Sequence, residues 1–326
     1  SEYGIVLIQG GAGSGKTTVA LHRLAYLMSK KPQYFKPKTV LPIVFGPALA
    51  NYMSRVLPAL GVHGARPRTY HKWLSGLRIR MLPELPVQYA ENTPMDVIEL
   101  KRHPLWLKYY REEIQNRTTK FRELFEDKLA KVEGLEILLK AWDAMSDTAL
   151  IPRLQNLAGW SKGEETIQGV PQLSSARMEK QLQNALEQAF PELMEFPHLL
   201  TTQIWNDCLV NRELLFETVE RLAPGEFNES QLTGVWSWAV RQYQKRQESK
   251  EIVESDLVSL TEQTEDFFNE DLNFTDEKSL LDEEDDTLLL LLYQLLLGPL
   301  NRKNGKPLQY THLMLDEAQD FGPVEF

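Results

Sequence analysis

The chain has 326 residues, 42% of them hydrophobic and 25% charged, with a formal net charge of −10. This is ordinary globular composition with room for about two domains, and its acidic balance excludes a generally basic nucleic-acid coat while still allowing a local basic groove. The single cysteine, Cys208, excludes an internal disulfide and points to a reducing cytoplasm.

The first apolar run, Ile5 to Ile8, is expected as a buried strand, and no signal peptide is expected ahead of it. Gly10-Gly11-Ala12-Gly13-Ser14-Gly15-Lys16-Thr17-Thr18 follows with the spacing of a phosphate-binding loop. Gly10, Gly13 and Gly15 let backbone N–H groups turn into one concavity, an anion nest. A helix expected over Val19 to Met28 begins there and adds its free N–H groups and the positive end of its dipole. Lys16 is placed to reach the β- and γ-phosphates of ATP, and the Thr17 hydroxyl to hold Mg²⁺.

Lys30 to Lys38 reads as a basic, proline-containing loop. Thr39 to Phe45 is expected as a second buried strand, despite Pro42, ended by Gly46-Pro47. A helix over Ala48 to Leu60 shares Leu49, Tyr52, Met53, Val56 and Leu57 on one side. Ala65 to Tyr70 is expected as a third short strand carrying Arg66 and Arg68. Thr69-Tyr70-His71-Lys72-Trp73 opens another helical stretch.

From Leu82 to Asp286 helical periodicity dominates. Helices are expected over Pro104 to Gln115, Phe121 to Met145, Ser174 to Phe190, Gln203 to Leu222 and Gln231 to Ser249, with a flexible loop over Gly159 to Pro171. Cys208 is expected as a small buried apolar group. The six histidines show no metal-ligand spacing. Glu251 to Asp286 holds fifteen acidic residues against the single Lys278, together with Phe267, Phe268, Leu272 and Phe274. Two readings stay open there: an acidic arm that meets a partner or masks a basic site, and a solvated connector. Leu288 to Leu297 is expected as a buried helix, shorter than the roughly 20 residues of a membrane span.

After a polar turn over Asn301 to Lys306, Tyr310 to Leu315 is expected as a buried parallel strand tipped by Asp316-Glu317-Ala318-Gln319-Asp320. Asp316 would hold the Mg²⁺, directly or through water, and Glu317 would take a proton from the attacking water; the alternative is a solvated acidic turn. The two motifs must meet at one metal. Residues 1–81 and 287–326 are therefore expected to form one α/β core, with 82–286 inserted as a mainly helical domain.

These residues resemble superfamily 1 helicases of the UvrD/Rep type. Gln9 to Thr18, continuing as Leu21-His22-Arg23-Leu24-Ala25-Tyr26, resembles their motif I, and Asp316 to Asp320 their motif II. Phe45-Gly46-Pro47 and the following helix resemble motif Ia, and Thr69-Tyr70-His71 motif Ib. The His-Arg-Leu-Ala-Tyr run and the leucine-rich helix before motif II are most similar to the HelD-like branch, which acts on RNA polymerase.

The resemblance implies a RecA-like P-loop NTPase sheet with a helical insert. It assigns Gln319 to sensing the γ-phosphate, and Asn51, Arg55, Thr69, His71 and Trp73 to a single strand of DNA, with Trp73 stacking on a base. The family's adenine-reading segment and second RecA-like domain are not matched, so a first motor domain with its insert, monomeric, is expected. Three functions follow as alternatives. They are an ATP-driven DNA translocase, a HelD-like remodeller that engages RNA polymerase through its insert, and a P-loop kinase or signalling ATPase. The Gln of the Asp-Glu-Ala-Gln-Asp box argues against a small-molecule kinase.

Overall fold

In the computed structural model, which describes residues 4–131, 134–172, 176–189, 196–256, 280–302 and 305–321, three parallel strands carry the two ends of the chain. β1 (Val40–Val44) lies between β2 (Arg68–Thr69) and β3 (His312–Leu315). All five residues of β1 are buried, as a central parallel strand requires. Pro42 is tolerated there for a reason set by register. Thr39 O accepts from Thr311 N at 2.7 Å and Ile43 O from Asp316 N at 3.0 Å, so the odd-numbered residues face β3. The Pro42 nitrogen therefore faces the other side, where β2 enters the ladder only at Ile43 opposite Arg68. No ladder bond is lost to the proline.

Three helices accompany the sheet: α1 (Lys16–Lys30), α2 (Pro47–Ala59) and α3 (Tyr70–Met81). α1 turns Leu21, Leu24 and Leu27 inward, at helical spacing, and α2 turns in Met53 and Leu57. They meet Phe35, Val40, Val44, Val62 and Met314 in one apolar cluster. The expected strand over residues 5–8 is not formed: the backbone there is irregular and Ile5 is 100% exposed. An apolar run becomes a strand only when a neighbour takes up its backbone hydrogen bonds, and among the described residues none does.

Residues 4–76 with 301–321 form one compact unit, and Leu77–Leu300 forms a second. The division differs from the expected boundaries at 81/82 and 286/287. The second unit holds α4 (Met95–Arg102), α5 (Leu105–Lys128), α6 (Leu135–Ala144), α7 (Leu150–Ser161), α8 (Ala176–Ala189), α9 (Leu199–Val210), α10 (Arg212–Leu222), α11 (Glu229–Asp256) and α12 (Asp285–Leu297). α12 packs on α5, α7 and α9, which places the leucine-rich helix in this unit.

Trp106, Trp142, Trp160 and Trp205 lie fully buried in the core of this unit. α5 runs unbroken through the expected gap after Gln115. The helix expected over Phe121 to Met145 is cut instead after Lys128, and Gly134, at φ 103°, starts α6. α4 and α7 were not expected, and the expected loop from Gly159 begins inside α7. Cys208 is a buried free thiol whose Sγ lies 3.2 Å from Trp205 O. Among the described residues no helix is long and apolar enough to cross a membrane.

The acidic run does not behave as one element. Residues 257–279, including Phe267, Phe268, Leu272 and Phe274, lie outside the described residues. Asp282, Asp285 and Asp286, by contrast, are buried. Lys101 Nζ lies 2.5 Å from a carboxylate oxygen of both Asp282 and Asp285. Arg78 donates to Asp286 at 2.8 Å and to Tyr89 Oη at 3.1 Å, and Tyr89 donates to Asp286 at 2.5 Å. This end of the run is therefore neither an arm nor a solvated connector.

Candidate functional site

The glycine loop meets the end of β3. Gly13 and Gly15 take φ values of 72° and 86°, in the left-handed region that glycine enters without strain. Ser14 N donates to Gly11 O at 3.3 Å to close the turn. A Cβ on Gly10 would stand 2.4 Å from Ser14 Oγ and 3.2 Å from its Cβ, so a side chain there would force Ser14 to shift.

Gly15 is the N-cap of α1; no side chain caps the helix, and its first turn carries no acid. The N–H groups of Lys16, Thr17 and Thr18 thus lack intrahelical partners, and they carry the positive end of the helix dipole. Lys16 Nζ donates to Gly10 O at 3.0 Å and to Gly11 O at 3.1 Å, which holds the ammonium over the loop.

The second half of the site comes from the far end of the chain. β3 delivers Asp316 at its carboxyl end, 6% exposed, with its N–H fixed on Ile43 O. Thr17 Oγ1 donates to Asp316 Oδ2 at 2.9 Å, with Oδ1 at 3.2 Å, across 299 residues of sequence. Glu317 holds φ 52° and ψ 47°, a left-handed conformation uncommon for a residue with a side chain. Gln319 Nε2 donates to Glu317 Oε2 at 2.6 Å.

The donor set suits a magnesium nucleotide. A hydroxyl and a carboxylate side by side are hard oxygen ligands of the kind Mg²⁺ takes beside phosphate oxygens. An uncapped helix start with a lysine over it suits the phosphates themselves. At the amino end of β3, burial, and then the nearby Arg23, hold the His312 imidazole below its usual 6.5.

The residues expected to touch a single strand come from α2, β2 and α3. Asn51 and Arg55 are exposed one turn apart on α2. Thr69 Oγ1 accepts from Lys72 N at 3.2 Å, where α3 begins. His71 is half-buried. Trp73 is half-buried as well and donates its indole N–H to Tyr310 Oη at 3.0 Å, with its ring tilted on Tyr70 and edge-on to Tyr310. Its ring is engaged by packing. Tyr310, the partner that organises this aromatic group, had no signal in the sequence beyond opening a strand.

Over residues 1–326 the chain matches the family described as UvrD/REP helicase N-terminal domain. No curated protein and no solved structure matches it.

Proposed function

Because the chain belongs to the UvrD/REP helicase family, whose members are ATP-hydrolysing motors, we propose that residues 10–18 with Asp316, Glu317 and Gln319 form its ATP site, in a motor that moves along single-stranded DNA. The observation that carries the reading is the 2.9 Å bond from Thr17 Oγ1 to Asp316 Oδ2. It joins the phosphate-loop helix to the acidic strand end, as one shared metal requires.

Magnesium ATP, when bound, supplies the phosphoanhydride whose hydrolysis drives movement. The chain's own groups do the rest. Lys16 exchanges the Gly10 and Gly11 carbonyls for phosphate oxygens, and the free N–H groups at the start of α1 add donors to the same anion. Thr17 and Asp316 hold the metal. Glu317 takes a proton from the attacking water. Gln319, bonded to Glu317, orients that carboxylate and responds to loss of the γ-phosphate.

Binding of a fluorescent ATP analogue tests the site directly. Lys16→Ala removes a charge-assisted contact, which is expected to weaken affinity on the order of 10- to 100-fold. Unchanged affinity in a variant that melts like the parent would refute the assignment of the loop.

A further inference from the structure

Beside the same sheet, five cationic side chains converge on one cleft that residues 10–18 and Asp316 do not line. The strands are parallel, so Asp316 leaves at their carboxyl ends, while residues 36–39 and 310 precede the amino ends of β1 and β3; Arg68 lies further along, opposite Ile43 at the level of Leu315. The cleft has a volume of about 960 Å³, and Lys36, Lys38, Arg66, Arg68, Arg302 and Tyr310 line it. Among the described residues, none that lines it is acidic, although the whole chain carries a net charge of −10. Lys36, Lys38 and Arg66 are exposed and Arg68 and Arg302 half-buried. Among the described residues the first four have no acidic partner, and Arg302 spends one N–H on Gln309 O at 2.7 Å.

The arrangement is held by structure and not only by proximity in sequence. Pro37 starts a 3-10 turn (Pro37–Thr39) that carries Lys36 and Lys38 on either side of it. Gly64, at φ 83°, passes so close that an added Cβ would stand 3.3 Å from the Pro37 Cβ. That approach brings the Arg66 and Arg68 segment against the turn. Thr39 Oγ1 lies 2.8 Å from Thr311 Oγ1, which pins the turn to the entry of β3 beside Tyr310. Like charges held together repel, and a bound anion relieves that repulsion.

We propose that this cleft binds the phosphodiester backbone of a nucleic acid, at a site separate from residues 10–18. Arginine forks and lysine points both suit phosphate oxygens. The volume far exceeds what a single phosphate fills. Pockets for small ligands bury about 70–90% of their guest, whereas three of the five cations here stand exposed, which suits a strand passing across the surface. Single strands and duplexes share this chemistry. The inference makes no use of the nucleotide site.

The test is fluorescence anisotropy on the full 326-residue chain without nucleotide, using a short single strand and its duplex, from about 50 to about 200 mM salt. Lys36→Ala, Lys38→Ala and Arg66→Ala are combined, because these exposed side chains leave the core untouched. The slope of log affinity against log salt is expected to fall by about 0.7 per lost contact on the single strand, or about 0.9 on the duplex. The strand type showing the larger loss identifies the ligand. Affinity at the lowest salt is expected to fall at least about tenfold.

Unchanged slope and affinity for both strands would overturn the proposal. So would loss of tripolyphosphate binding with oligonucleotide binding intact, which marks a small-anion site. If the triple variant melts early, Lys38→Ala alone is read, with a slope change of about 0.7 expected on the single strand. Analogue binding is followed in parallel with Lys16→Ala, so the two sites can fail separately.

Discussion

Single residues carry the chemistry, and the sequence exposes them unevenly. The glycines of residues 10–15 are readable because their conformational freedom is a local property, and Gly13 and Gly15 use it at φ 72° and 86°. The left-handed Glu317 is not readable, since nothing in a glutamate announces φ 52°. Holding a residue with a side chain there costs roughly 1–2 kcal/mol, a strain of the kind that persists at functional sites. Glu317→Gly relieves it but adds chain entropy worth about 0.5–1 kcal/mol. The variant is therefore expected to gain up to about 1.5 kcal/mol in denaturant unfolding while losing ATP turnover. A variant that is less stable and still turns over ATP would count against both roles.

His312 gives a pH test with a definite sign. Burial and then Arg23 depress its folded pKa below the 6.5 of a free imidazole, so the unfolded chain takes the proton more readily. This contribution to stability is complete above about pH 6.5 and is lost as pH falls toward the folded value. The melting temperature of the α/β unit is expected to drop on acidification through that window, and His312→Gln to flatten the drop.

At the scale of elements, type was more visible than termination. Buried helical faces repeat strongly enough that α1, α2 and α12 lie close to where periodicity puts them. Periodicity, however, passes straight through a cap. The leucine and valine pattern from 203 to 222 reads as one helix, yet Asn211 leaves helical geometry and its side chain accepts from Leu214 N at 3.2 Å, starting α10. Asn211→Ala removes that N-cap and is expected to cost about 1 kcal/mol, and Asn211→Gly only a few tenths. Chemical denaturation of the two variants reads the difference, and equal losses would assign the break to packing instead of capping. The two-residue β2 and the irregular 5–8 segment fail for a related reason. Strands are made by their neighbours, and which neighbours arrive is a property of the whole chain.

At the scale of the molecule, the sequence most misled where charge met distance. A run of acids is usually a solvated face, but Asp282 and Asp285 are drawn inward by Lys101, on α4 and 181 residues away from Asp282 in the chain. Burial opposes the charged form of Lys101, yet Asp285 and Asp282 outweigh it and hold its pKa above 10.5. Burial likewise pushes both aspartates up; Lys101 overcomes this for Asp282, which titrates below 3.8, and not for Asp285, which titrates above it.

The signs follow from these directions. The Asp282 contribution is lost only as pH falls below about 3.8, and the Lys101 contribution only as pH rises past its raised value. Asp285 contributes in the opposite sense to Asp282, favouring the fold at low pH. The two aspartates therefore oppose each other on acidification, and removal of a charge is the sharper probe. Lys101→Met leaves two buried carboxylates without their cation, a loss expected to cost about 3–5 kcal/mol. Adding Asp285→Asn should return part of it, because one buried charge disappears. All of these groups lie within Leu77–Leu300, so binding of the ATP analogue at residues 10–18 is expected to survive in both variants below their melting temperatures. Calorimetry beside analogue titration decides the matter: a Lys101→Met chain that melts like the parent would mean the buried pair contributes nothing net. A chain that keeps its melting point but loses the analogue would place Lys101 in the nucleotide chemistry.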